Sequence, residues 1–141
     1  MKFGKLLLMA AGIAVFAFAS CKKKNNPSVS DRLHGTWRPA FNAADANGNG
    51  VLDASEKVAD STSTVFKMTF NSNNTLVIYY MDTAIDQQSW NLQNGDTYIK
   101  FLDSAVGASP LYLHIDEITS SSMTLKDTSG GVVSWSIYAK Q

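Results

Sequence analysis

Phe66-Lys67-Met68-Thr69-Phe70-Asn71-Ser72-Asn73-Asn74-Thr75-Leu76-Val77-Ile78-Tyr79-Tyr80 decides the fold. Phe66, Met68 and Phe70 alternate with Lys67, Thr69 and Asn71, which is the period of a strand with one buried face. Ser72-Asn73-Asn74 supplies a turn, and Leu76, Ile78 and Tyr80 resume the alternation. The same rhythm runs to the end of the chain. Trp90 and Leu92 lead into the hairpin turn Asn94-Gly95-Asp96, followed by Ile99 and Phe101. Leu111, Leu113 and Ile115 alternate with Tyr112, His114 and Asp116. Met123 and Leu125 come next, then Gly130-Gly131, and Val133, Trp135 and Ile137 alternate with Ser134 and Ser136. With residues 34–41 as the first strand, eight strands follow one another, most of them through short connections. The pattern predicts an all-β domain, an eight-stranded antiparallel meander closed into a barrel, because closure removes the exposed strand edges. A β-sandwich is the alternative; sequential hairpins favour the barrel.

One connection is not short. Asp45-Ala46-Asn47-Gly48-Asn49-Gly50-Val51-Leu52-Asp53-Ala54-Ser55-Glu56 resembles the twelve-residue calcium loop of an EF-hand. Asp45, Asn47, Asn49, Asp53 and Glu56 put oxygen side chains at loop positions 1, 3, 5, 9 and 12. Gly50 permits the left-handed turn at position 6, Leu52 is the apolar residue at position 8, and Val51 would contribute its backbone carbonyl. Calcium accepts about six to eight oxygens in loose geometry, whereas magnesium demands a small octahedral shell that suits this set poorly. The flanks depart from an EF-hand. Pro39 stands where an entering helix would run, and only a short helix around residues 54–60 is expected to follow. A lone loop of this kind is expected to staple the chain: three carboxylates (Asp45, Asp53, Glu56) repel one another until an ion neutralises them. Its affinity should lie in the weak extracellular range, on the order of 0.1–1 mM. Lying between the first two strands, it either orders a long connection or gates the barrel mouth.

The N-terminus reads as a secretion signal over residues 1–20. Lys2 and Lys5 precede an apolar run over residues 6–19, too short for a membrane-spanning helix. Phe18-Ala19-Ser20-Cys21 resembles the lipobox of bacterial lipoproteins, with Phe18 where that motif prefers Leu. Ala17-Phe18-Ala19 also reads as an ordinary cleavage site that would leave Cys21 as a stray thiol. Cys21 is the single cysteine of the chain, so no internal disulfide can use it; lipidation would. Cys21 and the polar residues after it form a tether over 21–31, and residues 32–141 form the domain. The residue after the cysteine is Lys22, not the Asp that resembles an inner-membrane retention signal. The expected address is therefore the outer membrane, lipid-anchored and facing the periplasm.

Leu33-His34-Gly35-Thr36-Trp37 at the start of the first strand resembles the opening Gly-x-Trp of lipocalins and of compact bacterial lipocalin-like lipoproteins. The resemblance extends over the meander to the aromatic last strand with Trp135 and Tyr138. It implies a barrel closed at one end by Trp37, with a basic residue such as Lys140 above it. It also implies a small apolar ligand or lipid as the bound molecule, although the chain is short and lacks a clear C-terminal helix.

The remaining residues exclude more than they suggest. Twelve basic and twelve acidic side chains balance, and without Lys2 and Lys5 the chain is slightly acidic. No basic patch lies outside the tether, which excludes nucleic acid as a partner. His34 and His114 lack the spacing of a transition-metal site; His114 and Asp116 share a strand face and are expected to pair. No nucleophile elbow, catalytic cysteine or phosphate loop appears, so the chain is read as non-catalytic. Phe66, Phe70, Tyr80, Trp90, Phe101 and Trp135 are expected to fill the core. Tyr79, Tyr98 and Tyr112 lie on the opposite phase. Together these readings predict a calcium-stabilised envelope lipoprotein that binds a small apolar ligand or lipid. The alternative is an accessory module with a filled barrel that binds another envelope protein.

Overall fold

The computed structural model describes residues 26–102 and 109–141. The expected signal segment, Cys21 and tether residues 22–25 lie outside these. The described chain forms α1 (Val29–Leu33) and nine strands: β1 (Gly35–Ala44), β2 (Val58–Ala59), β3 (Phe66–Phe70), β4 (Thr75–Tyr80), β5 (Thr83–Gln93), β6 (Tyr98–Leu102), β7 (Leu111–Ile118), β8 (Ser122–Asp127) and β9 (Ser134–Lys140). Every strand pairs antiparallel with its neighbour, and β1 pairs with β9 from Trp37↔Lys140 to Ala44↔Ser134. The two-residue β2 only extends the β3 side of β1, through Phe41↔Ala59 and Asn42↔Val58. Eight strands therefore close the predicted meander barrel.

Alternation places Phe70, Leu76, Trp90, Ile99, Phe101, Ile115, Met123 and Leu125 in one contiguous core with Trp37. A bulge between Ile115 and Glu117 re-phases β7, so that both Ile115 and Ile118 point inward.

Four local features differ from the sequence reading, the first being Tyr80, which was expected in the core and stands 40% exposed at the end of β4. Residues 29–31, read as tether, are helix. Ser28 caps α1, its hydroxyl accepting from the Asp31 N–H at 3.0 Å while the Asp31 carboxylate accepts from the Ser28 N–H at 3.0 Å. That capping box was hidden in a polar stretch, and it delivers Leu33, fully buried, into the core. The helix expected over residues 54–60 is only a 3-10 turn, Ala54–Glu56. Lys57 is already extended there, and the chain leaves to pair with β1, where the Asp60 N–H donates to the Ala40 carbonyl at 2.9 Å. Trp135 lies outside the barrel. Met123↔Tyr138 and Leu125↔Ser136 pair on the inner face, so Trp135, opposite Lys126 and Ala43, stands on the outer one.

The barrel has a sealed end. The Trp37 indole N–H donates to the Leu33 carbonyl at 2.8 Å. Lys140 lies over the same ring, its Nζ 5.0 Å from the centroid, and donates to the Arg32 carbonyl at 2.7 Å. Arg32 in turn donates to the Ile118 carbonyl at 2.9 Å. Gly35 makes room for this latch. Its φ is +123°, and a Cβ there would stand 2.8 Å from Lys140 Cε.

Lys140→Met keeps the chain length and removes both the cation and the donor to a buried-end carbonyl. A loss of about 1–3 kcal/mol in folding free energy is expected from urea unfolding; an unchanged midpoint would show that the latch contributes nothing.

Candidate functional site

The end opposite the latch carries the long connection 45–57, the β4–β5 turn and the β8–β9 loop. It is the open end. Below it the barrel is filled by Phe70, Trp90 and Phe101, with Phe70 and Trp90 packed edge to face at 5.4 Å. Nearer the mouth, Phe66 and Tyr80 pack ring against ring at 5.1 Å.

An apolar cavity remains where β1 diverges from β3. It measures about 180 Å³ and is lined by Pro39, Phe66, Met68, Ile78 and Tyr138, with Thr62 and Lys67 at its edge. Divergence follows from the chain itself. The β1–β3 ladder runs only from Gly35 to Trp37, Pro39 beyond it cannot donate a ladder hydrogen bond, and against β9 the register of β1 shifts between Pro39 and Phe41. Arg38 bridges the resulting gap from outside, donating to the Ser63 carbonyl at 3.3 Å and the Thr64 carbonyl at 3.2 Å. Burial raises the Tyr138 hydroxyl above its ordinary pKa of 10.0, which keeps it neutral beside the cavity.

The same inner wall carries two polar groups that periodicity alone did not reveal. Ile78↔Asp86 and Leu76↔Gln88 pair on one face, so Asp86 and Gln88 face the interior above the core. Gln88 Nε2 donates to Asp86 Oδ2 at 2.8 Å. The first half of β5 reads as a polar loop because its inward positions are polar.

A broader cleft of about 660 Å³ opens between the end of β1 and the loop at 45–57, lined by Ala43, Ala44, Ala46, Ser55, Glu56 and Val58 among others. It is larger but wide open to solvent, and offers no enclosed apolar surface. The small cavity is the better ligand site.

The loop over 45–56 coils on its own carboxylates. Asp45 Oδ1 accepts from the Asn49 N–H at 3.0 Å, and Asp45 Oδ2 from the Gly50 N–H at 2.8 Å. Asn47 Oδ1 accepts from the Asn49 N–H at 2.9 Å, and Asn49 Oδ1 from the Val51 N–H at 2.8 Å. Glu56 reaches back across the loop. Its Oε1 accepts from the Ala46 N–H at 2.9 Å and its Oε2 from the Asp53 N–H at 3.2 Å. The amide nitrogens of Asn47 and Asn49 both donate to Asp53 Oδ2, at 2.8 and 3.0 Å. Gly50 has φ +72° at the bend. Neither ion pair of the described residues involves Asp45, Asp53 or Glu56. Among those residues no three His, Cys, Asp or Glu side chains gather closely enough to hold a metal by themselves. Five of the six expected ligand positions are thus wired together by side chains, while Val51 is bound through its N–H.

The loop also packs on the outer wall. Lys126 donates to the Gly50 carbonyl at 3.0 Å and lies 5.2 Å from the Trp135 ring. The Trp135 indole donates to Asp116 Oδ2 at 3.1 Å, and Asp116 Oδ1 is 3.6 Å from His114 Nδ1. The expected His114–Asp116 pair therefore serves to orient a tryptophan under the loop. Tyr98 and Tyr112 do face outward, beside His114 and Lys126. Tyr79 lies under Lys67.

No protein-family model matches the chain, and no curated protein matches it. Among solved structures it is similar to the crystal structure of a lipocalin-like protein from Bacteroides uniformis ATCC 8492, with a TM-score of 0.52 and 13% sequence identity. The match covers 78% of this chain and 99% of that one. At that identity the likeness concerns the fold: the domain is a lipocalin-like barrel.

Proposed function

We propose that this protein is a non-catalytic envelope lipoprotein whose calcium-stapled barrel takes up a small apolar molecule at its open end. The observation that carries the ligand reading is the cavity of about 180 Å³ beside Phe66, Met68, Ile78 and Tyr138. Its walls are apolar, Tyr138 is neutral, and Asp86 and Gln88 lie along the same inner wall. Drug-sized ligands occupy roughly 300–1,000 Å³. The occupant is therefore a small molecule or the end of one acyl chain. The second reading, an accessory module that binds an envelope protein, draws on the filled lower barrel of Phe70, Trp90 and Phe101.

Calcium is the proposed cofactor of the loop, held by Asp45, Asn47, Asn49, the Val51 carbonyl, Asp53 and Glu56. The donors are hard oxygens, the coil already brings both ends of the loop together through Glu56, and neither ion pair of the described residues involves its three carboxylates. Bound calcium would supply that neutralisation. The amides of Asn47 and Asn49 now turn their N–H groups toward Asp53, so their oxygens share ligation with backbone contacts they already make. Lipidation of Cys21 anchors the chain to the outer membrane on its periplasmic face, and no nucleic acid is bound.

Ile78→Trp should fill the cavity and abolish saturable displacement of a fluorescent apolar probe while leaving the fold intact. Equal displacement by the variant would sink the ligand reading. Calcium at about 100 times its dissociation constant should stabilise the fold by roughly 2.7 kcal/mol, with a change in Trp135 fluorescence. Glu56→Gln should remove both responses; a variant that responds like the parent would place calcium elsewhere. Mass spectrometry of the exported protein should find an acylated N-terminal Cys21, and a chain beginning at Ser20 without lipid would refute the anchor.

A further inference from the structure

The residues that line the apolar cavity come from β1, β3, β4, β9 and the segment between β2 and β3, the elements that flank one seam of the wall. Lys67 is among them, although it stands on the outer phase of β3 opposite Tyr79 and pairs with the exposed Asp82. The cavity therefore reaches the outside of the barrel at the seam. Toward the mouth, the Phe66 and Tyr80 rings pack together at 5.1 Å. Below, Met68 and Ile78 pack against the core.

The seam is a break in the hydrogen-bond ladder. β1 pairs with β3 only from Gly35 to Trp37, and pairs on that side again at Phe41, opposite Ala59 of β2. Phe66 and Lys67 pair with Tyr80 and Tyr79 of β4 but with no residue of β1. Asp60-Ser61-Thr62-Ser63-Thr64 crosses the gap. All five side chains are polar, and Thr62 lines the cavity.

Polar clasps hold this segment in place. The Asp60 N–H donates to the Ala40 carbonyl at 2.9 Å, and Arg38 donates to the Ser63 and Thr64 carbonyls. A further bond, from Arg38 Nε to Gln141 Oε1 at 3.0 Å, fixes the guanidinium to the chain end. Asp60 is the hub of the segment. Its Oδ2 accepts from the Asn42 amide at 2.8 Å, and its Oδ1 from the Thr62 N–H at 2.7 Å and the Thr62 hydroxyl at 2.6 Å. Those Thr62 bonds hold the Asp60 carboxyl below its usual range, so the hub stays ionised at neutral pH. A cover with few buried apolar contacts opens at lower cost than the laddered strands beside it. A polar one also lifts into water without exposing apolar surface of its own.

We propose that residues 60–64 are a strap that opens and closes the cavity, and that its apolar occupant passes through the β1–β3 seam beneath. The inference rests on the ligand reading and refines the entrance: the molecule crosses the wall beside the mouth instead of descending the barrel axis. Arg38 and Asp60 hold the strap shut.

Two measurements on the purified protein test this. Hydrogen exchange read by mass spectrometry follows the strap without any ligand. Arg38→Ala and Asp60→Ala should each raise exchange over residues 60–66 about tenfold, with the β5–β6 hairpin unchanged. Stopped-flow mixing with 1-naphthylamine, a small apolar fluorophore, follows passage. Both substitutions should raise its association and dissociation rates together, about tenfold, and leave Kd unchanged, because a gate alters rates and not the closed states on either side. Leu111→Trp, on the inward phase of β7 at the mouth, should leave both rates as they are. Parent-like strap exchange in both variants overturns the proposal. So does a Leu111→Trp protein that slows the probe while the strap variants do not hasten it, or a weaker Kd at an unchanged association rate, which would make Arg38 and Asp60 part of the binding wall. A parent that binds no probe, with strap exchange still raised in both variants, removes the ligand reading and supports the opening strap.

Discussion

Pairing of β1 with β9 is the constraint on which the rest depends. Seven residue pairs, from Trp37↔Lys140 to Ala44↔Ser134, turn an eight-strand meander into a closed wall. Without them the sheet would present two long edges and an open apolar face. With them, alternate side chains of every strand converge, and one core is built from Trp37, Phe70, Trp90, Phe101 and Met123. The pairing carries a fault as well. Its register shifts between Pro39 and Phe41, where β1 parts from β3, and the apolar cavity lies at that parting.

The two ends of the barrel are built on different principles. At the sealed end every polar group of the latch has a partner: the Trp37 indole, the Lys140 ammonium and the Arg32 guanidinium each meet a backbone carbonyl. At the open end large apolar side chains face solvent, and Met81 and Asp82 turn with positive φ.

The loop over 45–56 joins these themes. Its coil is closed by Glu56 and by the amides of Asn47 and Asn49, and its outer side roofs Trp135 through Lys126 and the Gly50 carbonyl. A tryptophan on the outer face of a sheet would ordinarily be exposed. Here it is buried beside Lys126, which lies over its ring and donates to the Gly50 carbonyl of the connection.

The sequence by itself determined the strand rhythm, the hairpin at Asn94-Gly95-Asp96, the closed barrel, and Trp37 with Lys140 at one end of it. Period two reports the strands and hairpins directly, whereas Trp37 with Lys140 followed from the resemblance of the Gly35-Thr36-Trp37 opening to that of lipocalins. It also displayed the oxygen side chains of the 45–56 loop, because their spacing is contiguous. Tertiary structure decided the rest. α1 was hidden because a capping box looks like a polar tether until Leu33 finds the core. Asp86 and Gln88 fell in no strand of the sequence pattern, because inward polar residues erase the alternation on which strand assignment relies. Trp135 read as core because burial was inferred from side-chain type, whereas the inner phase of β9 is set by pairing with Met123 and Leu125 of the neighbouring β8. The cavity beside Pro39 depends on how β1 leaves β3. Such relations join residues far apart in the chain, and only closure of the barrel brings them together.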